Sequence, residues 1–298
     1  TPIENHEFRL PFLKKLVDLE IPLIIFVSPD CLKVIESFLI AQQCQRHVSI
    51  VPLAKSFFES SFMYQTAMET PGTPLELPNN RLEPKDTLEY MCYQHSKVEF
   101  TSRAAHINPY KSTHFAWCDY DLFRSWDCPP ILRFIHQYGL PTLQYRPPDE
   151  MHLAKSWLAK DQIYLPGCFG KSTYSTNFLC NNICWRFCGG FYLGTQEAVC
   201  HLYDLYLEHF PRFLDNYRTM VWDVNFWTYL EQESDWDPYV YIADHNPRLI
   251  SEIPLFAFAH KFAPYKCSVY RNPYMENFNA SSGSMCIYED KCVFNVRY

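Results

Sequence analysis

Residues 21–53, IPLIIFVSPDCLKVIESFLIAQQCQRHVSIVPL, decide the fold class. The apolar run 21–28 stops at Ser28-Pro29, and a second run, VSIVPL, fills 48–53. Short apolar runs without polar alternation mark strands buried on both faces. Between them, CLKVIESFLIAQQ spaces its apolar residues as a helix does. Strand, helix, strand predicts a parallel pair joined by a crossover helix, and hence an α/β sheet with helices on its faces.

The alternation continues on both sides. Upstream, HEFRLPFLKKLVDLE (6–20) reads as a helix packed through Leu10, Leu13, Leu16 and Val17, with Pro11 in its first turn. Downstream, 66–84 carries four prolines and a glycine and reads as a loop. Residues 85–106 restart a helix, with Asp86 as an acid at its N-terminus. HFAWC (114–118) is the next strand, and repeated prolines break 127–150. DQIYLPGCFG (161–170) reads as strand and turn, and ICWRFCGGFYLGT (183–195) as strand, Gly-Gly, strand. Two helices, 196–214 and 220–234, precede a late strand, LFAFAHKF (255–262). Neither an internal repeat nor a linker interrupts 1–298, which reads as a single domain.

Composition excludes several classes. Of 298 residues, 48% are hydrophobic and 17% aromatic, so a large core is within reach and disorder is not expected. A net charge of −7 gives no electrostatic footprint for nucleic acid. No run of about 18 uncharged apolar residues is present, so no membrane span is expected. Thirteen cysteines fit either reduced buried thiols or a disulfide-bearing chain in an oxidising compartment. Cys180, Cys184 and Cys188 would share a helix face, but NNICWRFCGG is a poor helix and no CxxC pair accompanies them, which argues against structural zinc. Cys286 and Cys292 are the pair expected to form a disulfide, and Asn279-Ala280-Ser281 is a lone sequon.

The strand HFAWC runs straight into Asp119-Tyr120-Asp121. Ligands of open α/β sheets sit at the carboxyl ends of strands. Two carboxylates at i and i+2 there can converge on one hard cation, Mg²⁺ or Mn²⁺, shared with the phosphates of a nucleotide. The bland alternative is a solvated turn, where Asp bonds its own backbone.

The surroundings carry more than the triplet. KDTLEYMCYQHSKVEFTSRAAHINPYKSTHFAWCDYDLFR (85–124), WRFCGGFYLG (185–194) and WDVNFWTYLE (222–231) together resemble the HtrL/YibB family of glycosyltransferase-like proteins. The resemblance covers roughly residues 80 to 235, with the flanks matching by element order. It implies a GT-A-like, Rossmann-like fold with a mixed, mostly parallel sheet flanked by helices. It also implies a nucleotide-binding half (about 1–125) and an acceptor half (about 126–298). The implied activity is transfer of a sugar from a nucleoside-diphosphate donor, UDP-linked before GDP-linked, to a glycan or glycoconjugate hydroxyl, assisted by Mn²⁺ or Mg²⁺. The family often has Gly at the position of Asp121, so the full Asp-x-Asp is a departure. A GT-A sheet also opens with a strand ahead of the first helix, whereas this chain starts within that helix.

The residues implied follow. Asp119 and Asp121 would hold the metal, with His260 at the end of FAFAHKF as third ligand. Lys97, beside Ser96, would reach the diphosphate; Arg103, six residues on, reads as a solvated helix face. Gly189 and Gly190 would let the donor sugar pass close to the backbone. Arg186 would clamp phosphate, or pair with an acid such as Asp223. Asp223 would face the acceptor, as general base if transfer inverts or to orient acceptor or donor if it retains, the bland alternative being a helix N-terminal acid; Asn225 and Glu231 are lesser candidates. Trp222 and Trp227 read as core before sugar platform. Two other classes fit carboxylates at a sheet edge: a nucleotidyltransferase, although GxxxxGK[ST] is missing, and an inactive glycan-binding protein of the same fold. The cysteines and the start at Thr1 point to a secretory-pathway lumen and a removed N-terminal anchor; the bacterial flavour of the family points to the cytoplasm.

Overall fold

The two apolar runs pair in parallel: β1 (Leu23–Val27) lies beside β2 (Val48–Pro52), with Leu23 opposite Val48 and Val27 opposite Pro52. The computed structural model describes residues 6–18, 21–71, 74–119, 162–242, 268–270, 283–288 and 291–296. They divide between two units, Thr1–Ile253 and Pro254–Tyr298.

In the first unit, α1 (His6–Val17) and α2 (Leu32–Ala41) cover the β1–β2 pair, burying Leu13, Val17, Ile35 and Leu39 against Val27 and Val48. Pro11 is the sixth residue of α1 and so lies inside the helix rather than in its first turn. Two short helices follow, α3 (Phe57–Ser60) and α4 (Phe62–Glu69), so part of the predicted loop 66–84 is helical. Each starts on a serine cap: Ser56 forms a capping box with Glu59, and Ser61 accepts from Tyr64 N.

A long helix, α5 (Leu88–Ile107), leads to β3 (His114–Cys118). Its N-cap is Thr87, whose hydroxyl accepts from Tyr90 N, and it ends on Asn108 in the left-handed region at φ 37°. Asp86 instead accepts from Leu82 N, outside the helix. The remaining elements among the described residues of this unit are β4 (Ile163–Gly167), α6 (Thr176–Asn181), β5 (Phe191–Thr195), α7 (Gln196–Tyr217), α8 (Asp223–Glu233) and β6 (Tyr239–Ile242).

The strands β3, β5, β4 and β6 form one sheet in that order. β5 runs antiparallel to both β3 and β4, while β4 and β6 are parallel. Among the described residues this sheet is mixed, as expected, but two of its three pairings are antiparallel rather than most being parallel. The reason lies at Gly189-Gly190. Residues 183–188 form turns and not the strand expected upstream of the glycines. They bring the chain to the ends of β3 and β4, so that β5 must run back between them. The carboxyl ends of β3, β4 and β6 thus share an edge with the amino end of β5. Against this sheet, α5, α7 and α8 bury a large aromatic core that includes Phe187, Tyr192, Tyr206, Phe210, Phe213, Phe226 and Trp227.

The described residues of the second unit form three antiparallel strands, β7 (Ser268–Tyr270), β8 (Gly283–Tyr288) and β9 (Lys291–Val296). Its register pairs Cys286 with Val293 and Cys292 with Ile287, so the two cysteines expected to form a disulfide are not register partners. The predicted strand at 255–262 lies outside the described residues. No helix among those described is long and apolar enough to cross a membrane.

Candidate functional site

Polar residues sit where the core should be apolar. On α5, His95, Ser96, Lys97, Glu99 and Thr101 are all buried, and on α8 so are Asp223, Asn225, Thr228 and Glu231. Buried polar and charged groups are costly unless paired, so each needs a partner.

Lys97 is the centre. Its Nζ donates to the Gly189 carbonyl at 2.8 Å and lies 3.0 Å from Asp223 Oδ2 and 3.3 Å from Asp119 Oδ1. The ammonium therefore joins α5, the end of β3, the glycine turn and the start of α8. Its side chain is only 4% exposed. Burial alone would lower its pKa. The carboxylates of Asp119 and Asp223 outweigh that and hold the ammonium protonated far above the usual lysine range. Tyr192 fixes the same turn of α5 from β5: its hydroxyl donates to Thr101 Oγ1 at 2.7 Å, and Thr101 donates to the Lys97 carbonyl at 2.8 Å. Burial pushes the Tyr192 phenol up, so it stays neutral.

Asp119 sits just past β3. Its N–H donates to the Gly190 carbonyl at 2.9 Å, and Trp117 Nε1 donates to its Oδ1 at 2.7 Å. Its carboxylate is one-third exposed, unlike that of Asp223, which is 2% exposed. Asp223 is the first residue of α8, where Oδ1 accepts from Val224 N at 2.9 Å. Oδ2 faces Lys97 at ion-pair distance but takes no well-aimed hydrogen bond. With one ammonium between two carboxylates, the cluster carries one formal negative charge in excess, and Asp119 is the member that reaches the surface.

The sequence-predicted residues divide accordingly. Lys97, Asp119, Gly189, Gly190 and Asp223 come together. The roles of three shift. Lys97 is surrounded by protein oxygens and bridges the carboxylates instead of reaching outward to a diphosphate. Asp223 is buried beneath Gly189 with its Oδ2 3.0 Å from Lys97 Nζ. The glycines act through their carbonyls and through a missing side chain, since a Cβ on Gly189 would lie 3.0 Å from Asp223 Oδ2.

Arg186 is buried in a fork with Glu231, Nε to Oε2 at 3.0 Å and Nη2 to Oε1 at 2.7 Å, while Nη1 donates to the Phe169 carbonyl at 2.7 Å. It therefore pairs with an acid rather than clamping phosphate, but the acid is Glu231 and not Asp223. Asn225 clamps the end of α6 and the turn after it, accepting from Cys184 N at 2.7 Å and donating to the carbonyls of Leu179 and Asn182. Arg103 is not simply solvated: it pairs with buried Glu99 and donates to the Ser60 carbonyl at 2.9 Å. Trp222 and Trp227 are core. Asp121 and His260 lie outside the described residues.

Sequence reasoning missed three contributors. Trp117 stands two residues before Asp119, and Tyr192 two after the glycines. The third, His95, is fully buried, with Nε2 2.8 Å from the Val221 carbonyl and Nδ1 3.2 Å from Tyr206 Oη. The first contact needs a proton on Nε2, so Nδ1 accepts from the tyrosine. Burial depresses its pKa to about 4, leaving it neutral. The signal was available in QHSKVEF, a polar string within a helix that must cross the core.

The described residues contain no group of three His, Cys, Asp or Glu side chains placed to hold a metal. They supply one outward carboxylate, that of Asp119. One carboxylate fits the habit of Mg²⁺, which binds through one or two carboxylates together with phosphates and water. A separate cleft of about 840 Å³ lies at the carboxyl ends of β1 and β2, lined by Phe26, Leu53, Lys55, Arg103, His106 and Tyr203 among others. Ser102, Arg103 and His106 meet it from the face of α5 opposite Lys97, so the cleft and the carboxylate cluster are distinct.

No family model matches the chain, and neither do the curated proteins or the solved structures with which it was compared.

Proposed function

We propose that the chain is a GT-A-type glycosyltransferase that moves a sugar from a nucleoside-diphosphate donor to an acceptor hydroxyl. One observation carries the reading. The three segments that resemble the HtrL/YibB family, far apart in sequence, each place a residue on Lys97: Asp119 from the first, Gly189 from the second and Asp223 from the third. The result is a preorganised polar centre with excess negative charge at a strand-end carboxylate.

In this reading, the outward carboxylate of Asp119 holds a divalent cation. Such a cation, when bound, supplies positive charge to the diphosphate as it departs. The work of this chain's own residues is positional. Lys97 balances the buried charge of Asp223 and is shared with Asp119, while Trp117 and the Gly190 carbonyl fix the orientation of Asp119. Charge fixed in place before the reaction is commonly the dominant contribution to rate enhancement.

The test is a thermal-shift panel of UDP-, GDP-, CMP- and dTDP-linked ligands and of nucleoside triphosphates, with and without Mn²⁺, on the wild type and on Asp119→Asn. A ligand at about a hundred times its Kd adds about 2.7 kcal/mol to the native state. One base should stabilise the wild type only with Mn²⁺, and the variant should lose that response. If no nucleotide shifts the wild type, the glycosyltransferase reading fails and the glycan-binding one replaces it. A response to nucleoside triphosphates alone would favour nucleotidyl transfer.

A further inference from the structure

Cys168, just past β4, and Cys188, just before Gly189, bring their sulfurs to 3.2 Å. The segments that carry them are already clamped. Cys188 N donates to the Pro166 carbonyl at 2.8 Å, and Arg186 Nη1 donates to the Phe169 carbonyl at 2.7 Å. The backbones meet at Gly167, where any Cβ would collide with the Arg186 carbonyl oxygen. A disulfide of about 2.05 Å needs only roughly 1 Å more approach of the two sulfurs. We propose that Cys168 and Cys188 form a disulfide that staples the β4 exit to the glycine turn and so fixes the Gly189 carbonyl against Lys97. The inference stands on this geometry, whatever reaction the site performs.

The oxidant is a disulfide-bearing thiol exchanger. Cys168, the half-buried member, loses its proton, and its thiolate attacks one sulfur of the exchanger, releasing the other as thiolate. Cys188, deprotonated in turn, attacks Cys168 Sγ and displaces the exchanger's second sulfur. Two thiols of this chain lose two electrons, the exchanger's disulfide gains them, and both protons end on its thiols.

The experiment is a non-reducing peptide map of the whole chain, equilibrated in glutathione buffers of graded potential and blocked with iodoacetamide. Trypsin cuts after Lys171 and Arg186, separating the two cysteines; fragmentation then distinguishes Cys188 from Cys200 on its peptide. The expected result is a Cys168–Cys188 link under oxidising buffer. Reduction should lower the wild-type Tm by roughly 5–10 °C, the effect of closing a loop of this length, and should leave Cys168→Ser unmoved. Alkylation of both cysteines at every potential, or linkage of Cys188 to another cysteine, overturns the proposal. The wild-type map decides the question even if Cys168→Ser does not fold.

Discussion

Gly189 and Asp223 are packed so closely that a methyl group on the glycine would stand 3.0 Å from Oδ2 and 3.3 Å from Oδ1 of the carboxylate. A third neighbour, Val224 Cγ1, would stand at 3.3 Å. Gly189→Ala should therefore displace Asp223 from Lys97 and destabilise the protein by about 1–3 kcal/mol, as overpacking does. Urea unfolding measures it; an unchanged midpoint would show that the turn gives way freely.

Lys97 stands between two carboxylates, one of them buried. Lys97→Met leaves that charge uncompensated and should cost about 3–5 kcal/mol. Adding Asp223→Asn removes the stranded charge, so the double variant should be more stable than Lys97→Met alone. A double-mutant cycle by chemical denaturation reads the coupling. Strict additivity would mean that the two side chains do not interact.

His95 gives the fold a pH dependence. Its folded pKa is about 4, pulled below the ordinary histidine value of 6.5 chiefly by burial. Above 6.5 it is neutral in both states and the full stability is present. As pH falls from 6.5 towards 4, the unfolded chain takes up a proton that the folded one refuses, and stability is lost. The loss approaches about 3 kcal/mol across that window. Unfolding free energies from about pH 7 to about pH 4.5 should show this slope in the wild type and a shallower one in His95→Gln. Equal slopes would remove His95 as the cause.

Arg186 and Glu231 meet through two parallel hydrogen bonds. Lysine keeps the charge but not the fork, and it cannot also serve the Phe169 carbonyl. Arg186→Lys should lose about 1–3 kcal/mol. It should also raise proteolytic nicking near residue 169, because that loop is held from Nη1. Wild-type resistance to protease in the variant would argue that other bonds secure the loop.

Much of this was legible in the sequence, for physical reasons. The runs at 21–28 and 48–53 are long enough and apolar enough to admit one reading. Lys97, Asp119 and Asp223 stand out because they interrupt elements that otherwise belong to a core. What escaped was short or dependent on burial. The helices at 57–60 and 62–69 are announced by serine caps, but neither is long enough to show a period. β6 is four residues. Above all, the letters of Lys97 and Asp223 do not say whether a side chain faces solvent or another charge. Their chemistry was readable, but the direction in which each points was set by the turn at Gly189.

Because β5 runs against β3 and β4, the edge where those strands finish receives the approach to β5 rather than its exit. The residues preceding a strand, not those following it, thus furnish one wall of the centre. Variation in length or composition at 185–190 would alter that wall directly, while the same changes after Thr195 would fall at the opposite end of the sheet, where α7 begins.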